Sequence, residues 1–254
     1  ACDVNPELKT DENAAAFGLR KVKRTIKLEP KVISSSKNGR TKVGKTILIT
    51  GATSGIGRAT ANLFAENGFQ LILTGRRLER LEELKSDFEK EYESKVKILN
   101  FDVRDKKSTE QAFDSLPEEW KNIDILLNNA GLAKGFAPIH EGDYSHWEQM
   151  IDTNLKGLLY MTRTVAPFMV KRKSGHIINI GSIDGLKAAS FSTYSYGASK
   201  AAVHHLTRFL AANLTQEHIN FNNISPGPFP TWMLSTGVGF GGETDGVDWD
   251  KVGK

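Results

Sequence analysis

Tyr196 and Lys200 stand four residues apart, a spacing that puts both on one face of a helix. An ammonium beside a phenol favours the phenolate, lowering the phenol's pKa from about 10 toward the working range of a proton donor and acceptor. Four residues after Tyr194 stands Ala198 instead of a lysine, so Tyr196 is the better candidate. Ser182 precedes the pair, just after an apolar run, and completes the order Ser, Tyr, Lys. Tyr-x-x-x-Lys is a common pattern, so its meaning depends on its surroundings.

Thr50-Gly51-Ala52-Thr53-Ser54-Gly55-Ile56-Gly57 follows one apolar run and opens an amphipathic stretch. Glycines where a strand turns into a helix let backbone N–H groups approach a phosphate, and the helix dipole adds favourable charge. The same glycines could simply make a tight turn, and it is the strand, turn, helix order that favours a dinucleotide pyrophosphate. Such a fold usually ends its second strand with an acid that holds the ribose hydroxyls. Here Gly75-Arg76-Arg77 stands instead. Two guanidinium groups suit the 2′-phosphate of NADP(H); the alternative is that both are solvated residues opening the next helix.

These groups need a scaffold, and the hydropathy pattern supplies one. Thr46 to Thr50, Gln70 to Thr74, Val96 to Phe101, Ile123 to Leu127, His176 to Ile180 and Ile219 to Ile224 read as strands. Leu78, Leu81, Leu84 and Phe88 recur at helical spacing, as do Ile56, Ala59, Thr60 and Leu63. Strand and helix in alternation predict an α/β chain, a Rossmann-like doubly wound parallel sheet in a single domain. Residues 1–43 are polar, include Ser34-Ser35-Ser36 and Asn38-Gly39, and read as a flexible basic tail. Residues 44–254 read as the NADP-binding catalytic domain.

Charge and composition narrow the function classes. The net charge of +4 comes from the tail: residues 1–45 hold 11 Lys and Arg against 5 Asp and Glu, the remainder 23 against 25. The body therefore has no basic excess for nucleic acid. A single cysteine, Cys2, excludes an intrachain disulfide and points to a reducing compartment. No apolar run approaches the roughly 20 residues of a bilayer span, Gly157 to Val170 being interrupted by Arg163, so no membrane association is expected. The expected address is the cytoplasm, with the mitochondrial matrix left open by the basic stretch Arg20 to Lys45. His204 and His205 have no acidic or cysteine partners at ligand spacing, so they read as packing or surface residues and no metal is expected.

From Lys45 to Trp232 the chain resembles the short-chain dehydrogenase/reductase family. The resemblance rests on Thr50-Gly51-x-x-x-Gly55-x-Gly57, Asp102-Val103, Asn128-Asn129-Ala130-Gly131, Asn154, Ser182, Tyr196 with Lys200, and Pro226-Gly227 followed by Thr231. It implies Asn154, Ser182, Tyr196 and Lys200 as the catalytic set. Ser182 would hold the substrate oxygen, Tyr196 would pass it a proton, Lys200 would bond the nicotinamide ribose, and Asn154 would position a water. The implied cofactor contacts are Gly51, Thr53, Ser54, Gly55, Ile56, Gly57, Arg76, Arg77, Asp102, Val103, Asn129, Ala130, Gly131, Tyr196, Lys200, Pro226, Gly227 and Thr231. Asp102 would meet the adenine, Thr231 the carboxamide, and Asn128 would support the strand beneath.

Within the family, the stretch from Gly75 to Ser182 is similar to NADP-dependent 3-hydroxy acid dehydrogenases of the serine/allo-threonine type. Thr193 to Met233 is similar to 3-oxoacyl reductases of the rhamnolipid type. Their common denominator is a 3-oxo or 3-hydroxy acid or acyl compound, with NADP(H) exchanging a hydride and Tyr196 a proton. The expected partners are that small molecule and further copies of the chain, as dimer or tetramer. The chain departs from the family pattern twice. Asp184 stands where a small residue is usual, and only 23 residues follow Thr231, so the last helix and strand are expected to be lacking. The alternative reading is a weak or inactive member serving as a structural or regulatory subunit.

Overall fold

The computed structural model describes residues 44–135, 137–187 and 194–227. The expectations for the tail of residues 1–43, for Thr231 and for the C-terminal stretch of residues 228–254 lie outside the described residues.

Six strands form one parallel sheet: β1 (Thr46–Ile49), β2 (Gln70–Gly75), β3 (Val96–Asn100), β4 (Ile125–Asn128), β5 (Gly175–Ile180) and β6 (Ile219–Ile224). Their order across the sheet is β3-β2-β1-β4-β5-β6. The chain starts at the centre, winds outward to β3, then returns to β4 beside β1 and winds the other way. That reversal opens a crevice at the carboxyl ends of β1 and β4, the place where doubly wound sheets bind ligands. β4 begins two residues later than its hydropathy suggests. Fully buried Ile123 belongs to the approach, and Asp124 accepts the Thr46 N–H at 2.8 Å.

Helices cover both faces because alternate strand residues are apolar on each. Ile47, Ile49, Leu71 and Leu73 pack with Ala61 and Ala65 of α1 (Gly55–Glu66) and with Leu81, Leu84 and Phe88 of α2 (Leu78–Tyr92). On the other face, Leu48, Ile72, Leu126 and Ile177 pack with Phe113 of α3 (Lys106–Asp114) and with Met161, Val165 and Met169 of α5 (Leu158–Arg172). Leu210, Ala211 and Leu214 of α6 (Tyr194–Leu214) join that second cluster. Each fully buried Leu or Ile contributes on the order of 1.5–3 kcal/mol. The sheet is thereby a rigid base for the loops at its carboxyl edge.

Between α4 (Tyr144–Ile151) and α5, residues Asp152–Gly157 widen into a π-helical turn without breaking the helix. Val103 is buried against this turn, where a Cβ on Gly157 would stand 2.8 Å from Val103 Cγ2. Wide turns of this kind are frequent at functional sites, and this one carries Asn154.

Candidate active site

Gly51 leaves β1 at φ +65°, a conformation that side chains rarely adopt, and a Cβ there would stand 3.0 Å from Ala130 Cα. Gly57, one turn into α1, is tighter: a Cβ would lie 2.4 Å from the Gly51 carbonyl oxygen. Only glycines let helix and turn approach this closely. Thr50 ties the turn to β4, its hydroxyl accepting the N–H groups of Asn129 and Ala130 at 2.9 Å each. Asn129 returns the link by donating its side-chain amide to the carbonyls of Thr50 and Gly51. The N-terminus of α1 has no side-chain cap and no acid in its first turn. It keeps donor groups and positive dipole for an anion.

Arg77 reaches back over this turn, donating to Thr53 Oγ1 at 2.7 Å and Ser54 Oγ at 3.3 Å. Burial, followed by repulsion from Arg80 and Arg76, lowers its pKa. Neighbouring cations gain from an anion among them. Arg76 is 64% exposed and only loosely paired with Asp102, at 3.7 Å. Asp102 is gripped instead by Arg104, whose Nε and Nη2 donate at 2.6–3.1 Å. Burial pushes the Asp102 carboxyl up, but the Arg104 bonds outweigh it and hold the pKa below the usual range.

The second constellation lies where α6 crosses the ends of β4 and β5. Lys200, 4% exposed, donates to the Ile180 carbonyl at 2.7 Å, and burial lowers its pKa from 10.5 to about 8. Gly131 makes room for it: a Cβ there would stand 3.4 Å from Lys200 Nζ and 3.2 Å from Asn154 Oδ1. Asn154 is clamped by Leu132, accepting its N–H at 2.8 Å and donating to its carbonyl at 2.9 Å, and donates to Ser199 Oγ at 3.0 Å. Tyr196 is 8% exposed, with Lys200 Nζ 5.8 Å from its ring centre. Ser182, Tyr196, Lys200 and Asn154 thus come together although they span three elements.

One electrostatic expectation is corrected. The Tyr196 pKa is raised above 10, foremost by burial and also by the Asp184 charge; the hydrogen bond with Ser182 opposes both. Lys200 does not lower it here, because its Nζ is turned to the Ile180 carbonyl and its own charged form is disfavoured by burial.

Two polar devices go beyond the sequence reading, in which Asn128 supports its strand and His204 is a packing or surface residue. Asn128 donates to Thr162 Oγ1 and to Asn179 Oδ1, and Asn179 passes the chain on to Thr207 on α6. This buried relay locks β4, β5, α5 and α6 together. His204, one turn after Lys200, sits with Nε2 3.1 Å from the Ser182 carbonyl and 3.3 Å from Ser225 Oγ. It fills the space left by Gly181, where a Cβ would stand 2.6 Å from Nε2, and so fixes the Ser182 peptide. Of the two histidines expected to pack or to face solvent, His204 is buried and His205 exposed. The Ile183 N–H donates to the Pro226 carbonyl at 3.0 Å, which places Pro226-Gly227 at the same edge.

Among the described residues no group of His, Cys, Asp and Glu could hold a metal ion, and no helix is long and apolar enough to cross a membrane.

The short chain dehydrogenase family matches residues 45–237. An NADP-dependent 3-hydroxy acid dehydrogenase, YdfG of Salmonella typhi, is 43% identical over 208 residues, covering 82% of this chain and 79% of the relative. The closed form of a serine dehydrogenase complexed with NADP+ superposes with a TM-score of 0.72 at 43% identity, over 78% of this chain and 77% of that one. The Pseudomonas aeruginosa RhlG/NADP active-site complex does so with a TM-score of 0.70 at 32% identity, over 75% of each chain.

Proposed function

The chain belongs to the short-chain dehydrogenase family, and from that premise we propose that it is an NADP(H)-dependent oxidoreductase interconverting a carbonyl and a secondary alcohol on a small 3-oxo or 3-hydroxy acid or acyl compound. The observation that carries this reading is the convergence of Ser182, Tyr196, Lys200 and Asn154 beside an uncapped, glycine-cleared helix N-terminus.

The residues present fit the cofactor. The uncapped first turn of α1 and the approach cleared by Gly51 and Gly57 suit a pyrophosphate. Arg76 and Arg77 would take the 2′-phosphate, with Thr53 and Ser54 already within reach of Arg77. Asp102 and Val103 flank the adenine side, Asn129, Ala130 and Gly131 the middle of the crevice, and Pro226 and Gly227 its far edge. When bound, NADP(H) supplies or takes the hydride.

The protein's share is alignment and one proton. Ser182 holds the substrate oxygen through its hydroxyl. Tyr196 donates its phenolic proton to that oxygen during reduction and accepts it back during oxidation. Its raised pKa keeps it protonated at neutral pH, the form that reduction requires. Lys200 bonds the ribose of the cofactor, and on turning from the Ile180 carbonyl it stabilises the phenolate left behind. Asn154, clamped to Leu132, connects this group to solvent through water. A recess of about 160 Å³ between Lys134, α4 and Ser195 has the scale of a short acyl chain.

Self-association as dimer or tetramer belongs to this reading, supported by exposed Leu159 on α5 and Phe209 on α6. So does a cytoplasmic address, which the bacterial relatives favour; they lend nothing to a mitochondrial one. The decisive test is NADPH oxidation with a panel of short 3-oxo acids and their esters. Binding of NADPH without turnover of any carbonyl in the panel would favour the structural-subunit alternative.

A further inference from the structure

The turn from Ser182 to Gly185 lies directly on the helical turn that carries Tyr196 and Lys200. Ser182 Oγ accepts the Asp184 N–H at 3.2 Å. The Asp184 carbonyl oxygen is 3.2 Å from where a Cβ of Gly197 would stand, and a Cβ on Gly185 would be 2.6 Å from the Lys200 carbonyl carbon. Glycines on both sides therefore press this turn against α6 and hold Asp184 beside the site. Its side chain is half-buried, and among the described residues the carboxylate takes no hydrogen bond and no ion pair. Burial raises its pKa, and Lys187, exposed three residues on, acts against that as the nearby cation. The phenol of Tyr196 lies within its electrostatic reach.

A carboxylate without a bonded partner at the edge of a reacting centre discriminates by charge. Salt screens it poorly there, because the site is partly withdrawn from water. We propose that Asp184 sets substrate class: it disfavours a free carboxylate near the reacting carbon and selects uncharged acyl derivatives, such as esters and thioesters, over the corresponding 3-oxo acids. The proposal rests on the function proposed above for the location of the substrate. Two like charges brought together in such a site cost at least tenfold in affinity, a factor equivalent to about 1.4 kcal/mol.

The experiment measures NADPH oxidation by the full chain with 3-oxobutyrate and its methyl ester, alongside Asp184→Asn and Asp184→Ser. NADPH fluorescence on binding reports that each variant is folded. Wild type is expected to prefer the ester by at least tenfold in kcat/KM. Both substitutions should reduce the ester-to-acid ratio by at least tenfold, chiefly through a lower KM for the acid. A wild-type preference for the free acid overturns the inference, and so does a ratio that neither substitution changes. A strong preference for L-serine, read as NADP+ reduction, that Asp184→Asn removes would also overturn it, showing that the carboxylate serves to bind an ammonium group. If neither member of the pair is turned over while an unrelated ketone is, the function itself fails. If no carbonyl is turned over, thermal shifts of the NADPH-loaded chain by acid and ester decide, and the absence of any shift overturns both readings.

Discussion

At the scale of single residues, the site combines a buried cation with a buried phenol that resists ionising. Tyr196→Phe removes only the proton-transferring oxygen and keeps the ring, so turnover should fall by about 10² or more while NADPH affinity stays close to wild type. A variant keeping more than about a tenth of the rate would remove Tyr196 from the proposed role. Because the Tyr196 pKa is raised, reduction should run at neutral pH, whereas oxidation, which needs the phenolate, should accelerate as pH rises beyond the ordinary tyrosine range. A flat pH profile for oxidation would contradict this. Lys200 gives a stability test with the opposite sign of a paired lysine. Its folded pKa of about 8 lies below 10.5, so the folded chain binds fewer protons than the unfolded chain between these values. The burial penalty, about 3 kcal/mol by linkage, is fully present below pH 8 and fades as pH rises toward 10.5. Lys200→Met should therefore raise the melting temperature of the cofactor-free chain at pH 7 by a few degrees, partly offset by the lost bond to Ile180, and the gain should vanish near pH 10. Equal loss of stability at both pH values would show that the ammonium is not strained by burial.

At the scale of elements, the proposed function assigns specificity to the junctions. The β2 to α2 junction presents Arg76 and Arg77, and losing one well-formed charged contact costs about 1.5–3 kcal/mol. Arg76→Ala combined with Arg77→Ala should weaken NADPH binding by at least tenfold to a hundredfold and leave NADH binding within a fewfold. Titration of cofactor fluorescence reads this, and equal binding of both cofactors by wild type would sink the assignment. The relay from Thr162 through Asn128 and Asn179 to Thr207 ties four elements with buried partners. Asn179→Ala removes one bond each from Asn128, which keeps Thr162, and from Thr207, which keeps the Val203 carbonyl, at about 0.5–1.5 kcal/mol per bond. Denaturant midpoints should fall accordingly, while a surface replacement such as His205→Ala should change the unfolding free energy by less than about 0.5 kcal/mol.

At the scale of the whole molecule, the crevice exists because the chain reverses direction between β3 and β4, bringing the ends of β1 and β4 side by side. A ligand bound there touches loops from both halves of the sheet and stabilises the fold by mass action. At a hundred times its dissociation constant, NADP+ should add about 2.7 kcal/mol. That corresponds to roughly 5–10 °C in melting temperature for a chain of this size. NAD+ at the same concentration should add much less, and a scan showing equal shifts would argue against the arginine pocket.

What the residues alone determined is what depends on local pattern. Six apolar runs separated by amphipathic stretches specify a parallel α/β sheet, and β2, β5 and β6 fall within a residue of their expected bounds. The glycine turn, the two arginines and the Tyr-x-x-x-Lys spacing were legible because backbone freedom, charge and helical period are properties of short segments. What only the tertiary structure decided depends on neighbours distant in the chain. Burial among Ala133, Met150 and Trp147 makes Tyr196 harder to ionise, when its sequence neighbour Lys200 promised the reverse. The clamp of His204 on the Ser182 peptide spans 22 residues and has no motif. The π-turn bearing Asn154 is set by packing against Val103 and by bonds to Leu132 and Ser199, contacts that a hydropathy period does not encode. Desolvation and long-range hydrogen bonding are sums over a fold, so they become readable only when the chain has closed on itself.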